Sequence, residues 1–194
     1  MGYTFAEKVL MKKGALTDVS VGQIVIVKPD HLLTHDNTSA IVSKVEEDLK
    51  KYGIISKSLS IIAIDHTVPA VDEKTASGHK KIRDFVKTYQ IENFFDVGEG
   101  VCHQIVVEKG FAAPGKLILG SDSHTCMYGA LNCFATGIDR TEAAVLLLTG
   151  ETWLKVPSSI KIVVKGKFNT YSTGKDFVLK IIGDIGADGA NYKA

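Results

Sequence analysis

Leu59-Ser-Ile-Ile-Ala-Ile-Asp-His66 runs through apolar, mostly β-branched residues and stops abruptly on an acid and an imidazole. An almost unbroken apolar run, rather than an alternating one, is what a strand shows when both faces of its sheet are covered. Lys116-Leu-Ile-Leu119 repeats the pattern and also ends against polar residues, Gly120-Ser-Asp-Ser-His-Thr125. Covered strands of this kind are parallel and need helical crossovers. Helical spacing appears between them: residues 39–51 with Ile41, Val42, Val45 and Leu49; residues 72–89 with Ile82, Phe85 and Val86 inward; and residues 143–148 behind the capping-box pattern Asp139-Arg-Thr-Glu142. Further strands are predicted over 23–28, 93–97 and 160–164, and further helices around Phe5, Val9 and Leu10 and over 176–182. The expectation is an α/β fold, a mostly parallel sheet flanked by helices. With no internal repeat, low-complexity tract or linker, residues 1–194 form one expected domain.

Composition narrows the function. The chain is 45% apolar and 23% charged, ordinary for a globular protein, and its net charge of +1 creates no field to draw in nucleic acid or an anionic membrane. No apolar run approaches a membrane span, and Glu7 interrupts the start of the chain, so the expected location is cytoplasmic. Ala6 stands where a myristoylation signal needs Ser or Thr. Three cysteines, Cys102, Cys126 and Cys133, without a C-x-x-C pair, make neither a disulfide framework nor a complete zinc or iron-sulfur ligand set, so no metal ligands are expected within the chain.

In open α/β sheets ligands bind beyond the carboxyl ends of the strands. Asp65-His66 and Asp122-Ser-His124 both follow expected strands, and His103 lies in the glycine-rich Gly98-Glu-Gly-Val-Cys-His-Gln104. A carboxylate beside an imidazole orients the ring and suits it to general acid or base work near neutral pH. His31 and His35 are read as loop residues leading into the cap of the next helix, His79 beside Lys80 and Lys81 as a solvated helix residue, and Cys126 as a small thiol rather than a nucleophile. The loop Gly183-Asp-Ile-Gly-Ala-Asp-Gly189 fits neither the phosphate-loop nor the EF-hand spacing.

The ordered set Ile64-Asp-His66, Gly100-Val-Cys-His-Gln104, Glu108-Lys-Gly110, Pro114-Gly115, Gly120-Ser-Asp-Ser-His-Thr125 and Tyr128-Gly-Ala130 resembles the aconitase superfamily, and within it the large subunits of 3-isopropylmalate dehydratase and archaeal homoaconitase. The resemblance runs from Phe5 to Lys193 and implies an aconitase-like N-terminal domain of a hydro-lyase. Such an enzyme moves a hydroxyl between adjacent carbons of a hydroxy di- or tricarboxylate through an alkene acid, with a four-iron, four-sulfur cluster as Lewis acid. Carried over position by position, it implies catalytic roles for Asp65, His66, His103, Asp122 and His124. It implies substrate contacts for Ser123 and for His35, Asp36 and Thr38 in His35-Asp-Asn-Thr38.

The sequence departs from that pattern in several places. The family's cluster cysteines lie further along than Ala194 and none of the three cysteines here replaces them, so the chain is expected to be truncated and inactive alone. The serine base belongs, by the same resemblance, to a small swivelling subunit. Asp139-Arg140 stands where Gly-Ser is usual, and Asn132-Cys133 replaces a Gly-Ala step. Apolar faces meant for later domains would then be exposed, predicting self-association or an altered region after Gly166. Two other readings stay open: a non-catalytic carboxylate- or partner-binding relic, and a zinc hydrolase using His66, His103 and His124.

Overall fold

The computed structural model describes residues 2–194. In chain order the elements are α1 (Phe5–Gly14), β1 (Ile24–Val27), β2 (His31–Thr34), α2 (Thr38–Lys44), α3 (Glu46–Tyr52), β3 (Ser60–Ala63), α4 (Glu73–Tyr89), β4 (Asn93–Phe95), α5 (Cys102–Glu108), β5 (Leu117–Gly120), a 3-10 segment (Ser123–Leu131), β6 (Phe134–Gly137), α6 (Arg140–Thr149), β7 (Thr152–Lys155) and α7 (Gly174–Ile185). Five strands form a parallel sheet in the order β4-β3-β2-β5-β6. The fold is therefore the expected α/β class.

Alternation within the strands explains their apolar character. Leu32, Ile62, Ile64, Leu117 and Leu119 point into one layer with Leu10, Ile41, Ile82, Phe85 and Leu146; Leu33, Ile61, Ala63 and Ile118 point into the other with Cys102, Ile105, Val106 and Tyr128. Both faces are thus covered, and the strand centres are dry. Side-chain caps set helix starts. Asp72 accepts the Thr75 N–H at α4, and Asp139 with Glu142 closes a capping box at α6.

Several expectations are corrected. Residues 39–51 are two helices, because the chain turns at Val45. The strand expected over 23–28 forms, but it pairs antiparallel with β7 outside the main sheet. Strands β2 and β6 and helix α5 were not anticipated; in β2 the apolar run is only Leu32-Leu33, too short to signal a strand, yet it is the centre of the sheet. The strand expected over 160–164 does not form, since no strand edge lies beside it, and its apolar side chains are exposed. No helix among the described residues is long and apolar enough to cross a membrane.

The strand order reverses at β2: β3 and β4 lie on one side of it, β5 and β6 on the other. A crevice opens at such a switch point, beyond the strands' carboxyl ends. Gly120 closes β5 there. A Cβ at this position would lie 2.1 Å from Thr125 Oγ1, so only glycine lets the 3-10 segment fold back over the strand end and carry Asp122 into the crevice.

Candidate active site

Three loops meet at the switch point, after β2 (His35, Asp36), after β3 (Asp65, His66) and after β5 (Asp122, His124), and α5 adds His103 from the side. Asp65, nearly buried, places Oδ1 2.7 Å from His66 Nδ1, while its Oδ2 accepts the Cys102 N–H at 2.7 Å. The carboxylate is held at both oxygens, and His66 is left with Nε2 free to face the opening. That nitrogen lies 3.9 Å from Asp122 Oδ2.

Asp122 gathers the second half of the site. Its Oδ1 accepts from His103 Nε2 (2.9 Å), from the His124 backbone N–H (2.7 Å) and from His124 Nδ1 (3.0 Å). Burial works to raise its pKa, but the His124 amide and the two imidazoles outweigh it and hold it below the usual carboxylate range. His103 is engaged at both nitrogens, since Nδ1 lies 2.8 Å from the hydroxyl of the fully buried Tyr128. Burial pushes that phenol far up, so it stays a donor; in the neutral ring the chain runs Tyr128 O–H to Nδ1, then Nε2–H to Asp122. His124 keeps Nε2 free and its side chain is 78% exposed. Asp65, His66, His103, Asp122 and His124 therefore share one place, with two free ring nitrogens among them.

The positions expected to contact substrate differ among themselves. The His35 ring stacks on His66, with centroids 3.9 Å apart and planes 19° apart, and its Nδ1 is buried without a hydrogen-bond partner. Burial first, then the neighbouring His66, lowers its pKa. Ser123 is exposed at the start of the 3-10 segment. Asp36 and Thr38 are engaged within the protein itself. Thr38 is buried, its Oγ1 donating to the His35 carbonyl at 2.5 Å and lying 2.7 Å from Thr34 Oγ1. Asp36 spends its carboxylate on the N–H groups of Asp65 (3.0 Å), His66 (2.9 Å) and Thr67 (3.1 Å), and on His79 Nε2 (3.0 Å). Both side chains are thus occupied by groups of the protein.

His79 itself is the plainest correction: it is 4% exposed, not solvated. Its lysine neighbours Lys80 and Lys81 point away to Asp84 and Glu46, and helical geometry turns His79 inward with Ile82 and Phe85. The i, i+3 spacing of 79 and 82 was the available signal. Tyr128 and Asn37 were also missed as site residues. Asn37 laces β2 to β5, donating Nδ2–H to the Ser121 carbonyl (2.9 Å) and accepting the Ser121 hydroxyl at Oδ1 (2.9 Å).

Residues 7–194 match the sequence profile of the Aconitase family (aconitate hydratase). The chain belongs to the aconitase family. It is 42% identical to the 3-isopropylmalate dehydratase large subunit of Thermodesulfovibrio yellowstonii over 195 residues, which is 100% of this chain and 46% of that protein. It is likewise 42% identical to large subunit 1 of Methanopyrus kandleri over 194 residues (100% and 46%) and to the large subunit of Aquifex aeolicus over 197 residues (100% and 45%). The chain thus spans a little under half the length of these curated relatives.

The thiols of this aconitase-family chain do not fit an iron-sulfur cluster. Cys102 is fully buried under α5, and burial, then Asp65, pushes its thiol far up; Cys133 is buried and donates to the Ala113 carbonyl at 3.2 Å; Cys126 lies exposed with its thiol 3.6 Å from the Ser123 carbonyl. Among the described residues, the donor atoms within 4.8 Å of one another fall into two groups, His35-Asp36-Asp65-His66 and His103-Asp122-His124, and neither contains a cysteine. The same division separates His66 from His103 and His124, which counts against a single three-imidazole zinc site.

Proposed function

We propose that this chain is one wall of the active site of a hydro-lyase that dehydrates and rehydrates a hydroxy di- or tricarboxylate such as 3-isopropylmalate or homocitrate, within a larger assembly. The observation that carries this reading is the convergence of Asp65-His66 and His103-Asp122-His124 on one crevice at the strand ends. The proteins it is similar to are named large subunits of 3-isopropylmalate dehydratase. Their name implies a small subunit as partner. We assign to that subunit the serine base that takes the carbon-bound proton.

Loss of water requires that the hydroxyl oxygen be protonated as the C–O bond breaks, with the electron pair leaving on oxygen. His66 suits this step: Asp65 fixes Nδ1, so Nε2 is the nitrogen that hands over the proton, and in the reverse direction Nε2 takes it back from water. His124 offers its free Nε2, and Ser123 its hydroxyl, to a substrate carboxylate; His35, stacked on His66, keeps that ring in plane. His103 acts through Asp122, since both of its nitrogens are taken. Cluster thiolates, where a cluster takes part, come from another part of the assembly, because those of this chain do not fit.

The test joins residues 1–194 to the remaining portion of the T. yellowstonii large subunit, with a small subunit present, and follows alkene formation from 3-isopropylmalate. An active chimera in which His66→Gln lowers kcat by about 10²- to 10⁴-fold is expected. A chimera equally active with and without His66 would overturn the assignment.

A further inference from the structure

A carboxylate has about four lone-pair directions, and in Asp36 all four are used. Three go to the consecutive N–H groups of Asp65, His66 and Thr67, at 3.0, 2.9 and 3.1 Å, and the fourth to His79 Nε2 at 3.0 Å. One side chain thus fixes the backbone at the point where the Asp65-His66 pair leaves β3. Burial works to raise the pKa of Asp36, but the four donors hold it at about 2, so its oxygens act as acceptors only and His79 Nε2, 3.0 Å away, is the donor of that bond. The other buried residues of α4 are Ile82 and Phe85, so His79 is the one polar side chain that this helix buries. What an apolar side chain would lack is the donor. Asp36 would then keep its three backbone donors but lose the fourth, leaving Oδ1 with one bond and the carboxylate held from the loop side alone.

We infer that His79 is a positioning residue for the proton-donating pair: its Nε2–H fixes the rotamer of Asp36, which fixes the backbone of residues 65–67 and so the direction in which His66 presents Nε2. The inference rests on the reading of His66 as the proton donor, and its test separates the two. In the full chain, His79→Leu should leave the fold intact and speed hydrogen exchange of the His66 and Thr67 amides by about tenfold, the equivalent of one lost hydrogen bond, with amides of β5 unchanged. His66 ring-nitrogen resonances should shift with them. His79→Gln, whose side-chain amide supplies a donor, should restore both. In the active chimera His79→Leu should lower kcat by about tenfold with little change in KM, and His79→Gln should recover it.

Unchanged exchange and ring resonances in His79→Leu would overturn the inference, as would a folded His79→Gln that behaves like the leucine variant. If exchange rises while kcat stays put, the link from this clamp to catalysis is overturned, though His66→Gln still tests the proton donor independently. Should His79→Leu fail to fold, His79→Met, which also lacks the donor, gives the same decision: lost protection at 65–67 supports the inference, and retained protection sinks it.

Discussion

Two apolar stretches of nearly the same composition meet opposite fates in this molecule. Ile61, Ile62, Ala63 and Ile64 are almost wholly buried, with β2 and β4 paired on either side and helices on both faces; Ile160, Ile162, Val163 and Val164 are 39 to 61% exposed. The second stretch is tied down only at its start, by the Ile160 N–H to the Ala194 carbonyl (2.8 Å) and the bridge between Ser158 and Lys193. β-Propensity is a statement about fitting a pleated, covered surface, and the second stretch has no surface to fit. Beyond Val156 no residue is buried at all. The crevice loops stand on the first kind of ground, the C-terminal segment on the second.

The sharpest way to break this contrast is a matched pair of truncations. Ile62→Ala removes three carbons from the sheet centre and should cost about 2–5 kcal/mol in chemical denaturation, whereas Ile162→Ala should change stability by less than about 0.5 kcal/mol. Similar costs at both positions would mean that residues 160–164 are packed in solution, and the contrast would collapse.

The same contrast explains what could be read without coordinates. The sheet was legible where an apolar run was long, as at Leu59-Ser-Ile-Ile-Ala-Ile64, because both faces demand the same chemistry. β2 was not legible, because Leu32-Leu33 is too brief to carry a period, and its place at the centre comes from β3 and β5 closing on it. In the site, Asp65-His66 and Asp122-Ser-His124 stood out as polar stops after apolar runs, and they do lie together. The bonds that Asp36 and Thr38 make within the protein were not legible, because adjacency along the chain says nothing about which way a side chain turns: Asp36 turns to the backbone of a loop 29 to 31 residues away. His79 was hidden by flanking lysines, whose charge suggested water on every side of a helix that has a buried face.

Asp36 supplies the next largest effect. Its ordinary pKa is 3.8 and the folded protein holds it at about 2. A depressed carboxylate stabilises the fold above its unfolded pKa, and that stability is lost as the pH falls from about 3.8 through about 2; at 1.36 kcal/mol per pH unit it amounts to about 2 kcal/mol at neutral pH. Asp36→Asn should flatten the stability profile between pH 4 and 2 relative to the parent chain. An unchanged acid limb would show that the loop 65–67 is held by something other than this carboxylate. His35 adds a separate limb. With its pKa lowered by burial and by His66, the folded ring takes up a proton less readily than the unfolded one, so stability declines as pH drops below about 6.5.

The exposed region should betray itself by association. Val178, Leu179 and Ile182 lie on one side of α7, between 44 and 56% exposed, and no residue of the helix is buried. An unpartnered apolar face of this kind favours pairing with a second copy. Light scattering should find a mass above that of the monomer, rising with concentration, and Leu179→Glu should return it toward the monomer. A parent chain that stays monomeric throughout would place this helix against the rest of the molecule instead.

The smallest expected effect separates the thiols by the same rule of cover. Cys102 and Cys133 are buried, and burial pushes both thiols upward, while Cys126 stands at the surface. A thiol-specific reagent should therefore find one fast cysteine of three, the other two reacting only on unfolding, and Cys126→Ser should remove the fast phase while changing stability by less than about 0.5 kcal/mol. Anaerobic treatment of the chain with iron and sulfide should leave iron at background after desalting, because two protonated, buried thiols and one isolated surface thiol cannot enclose a cluster. Stoichiometric iron and sulfide on the chain alone would mean that Cys102 or Cys133 leaves the core to bind it. The second face of the sheet, where both pack, would then be a movable layer rather than the fixed support on which His103 and Tyr128 hold Asp122.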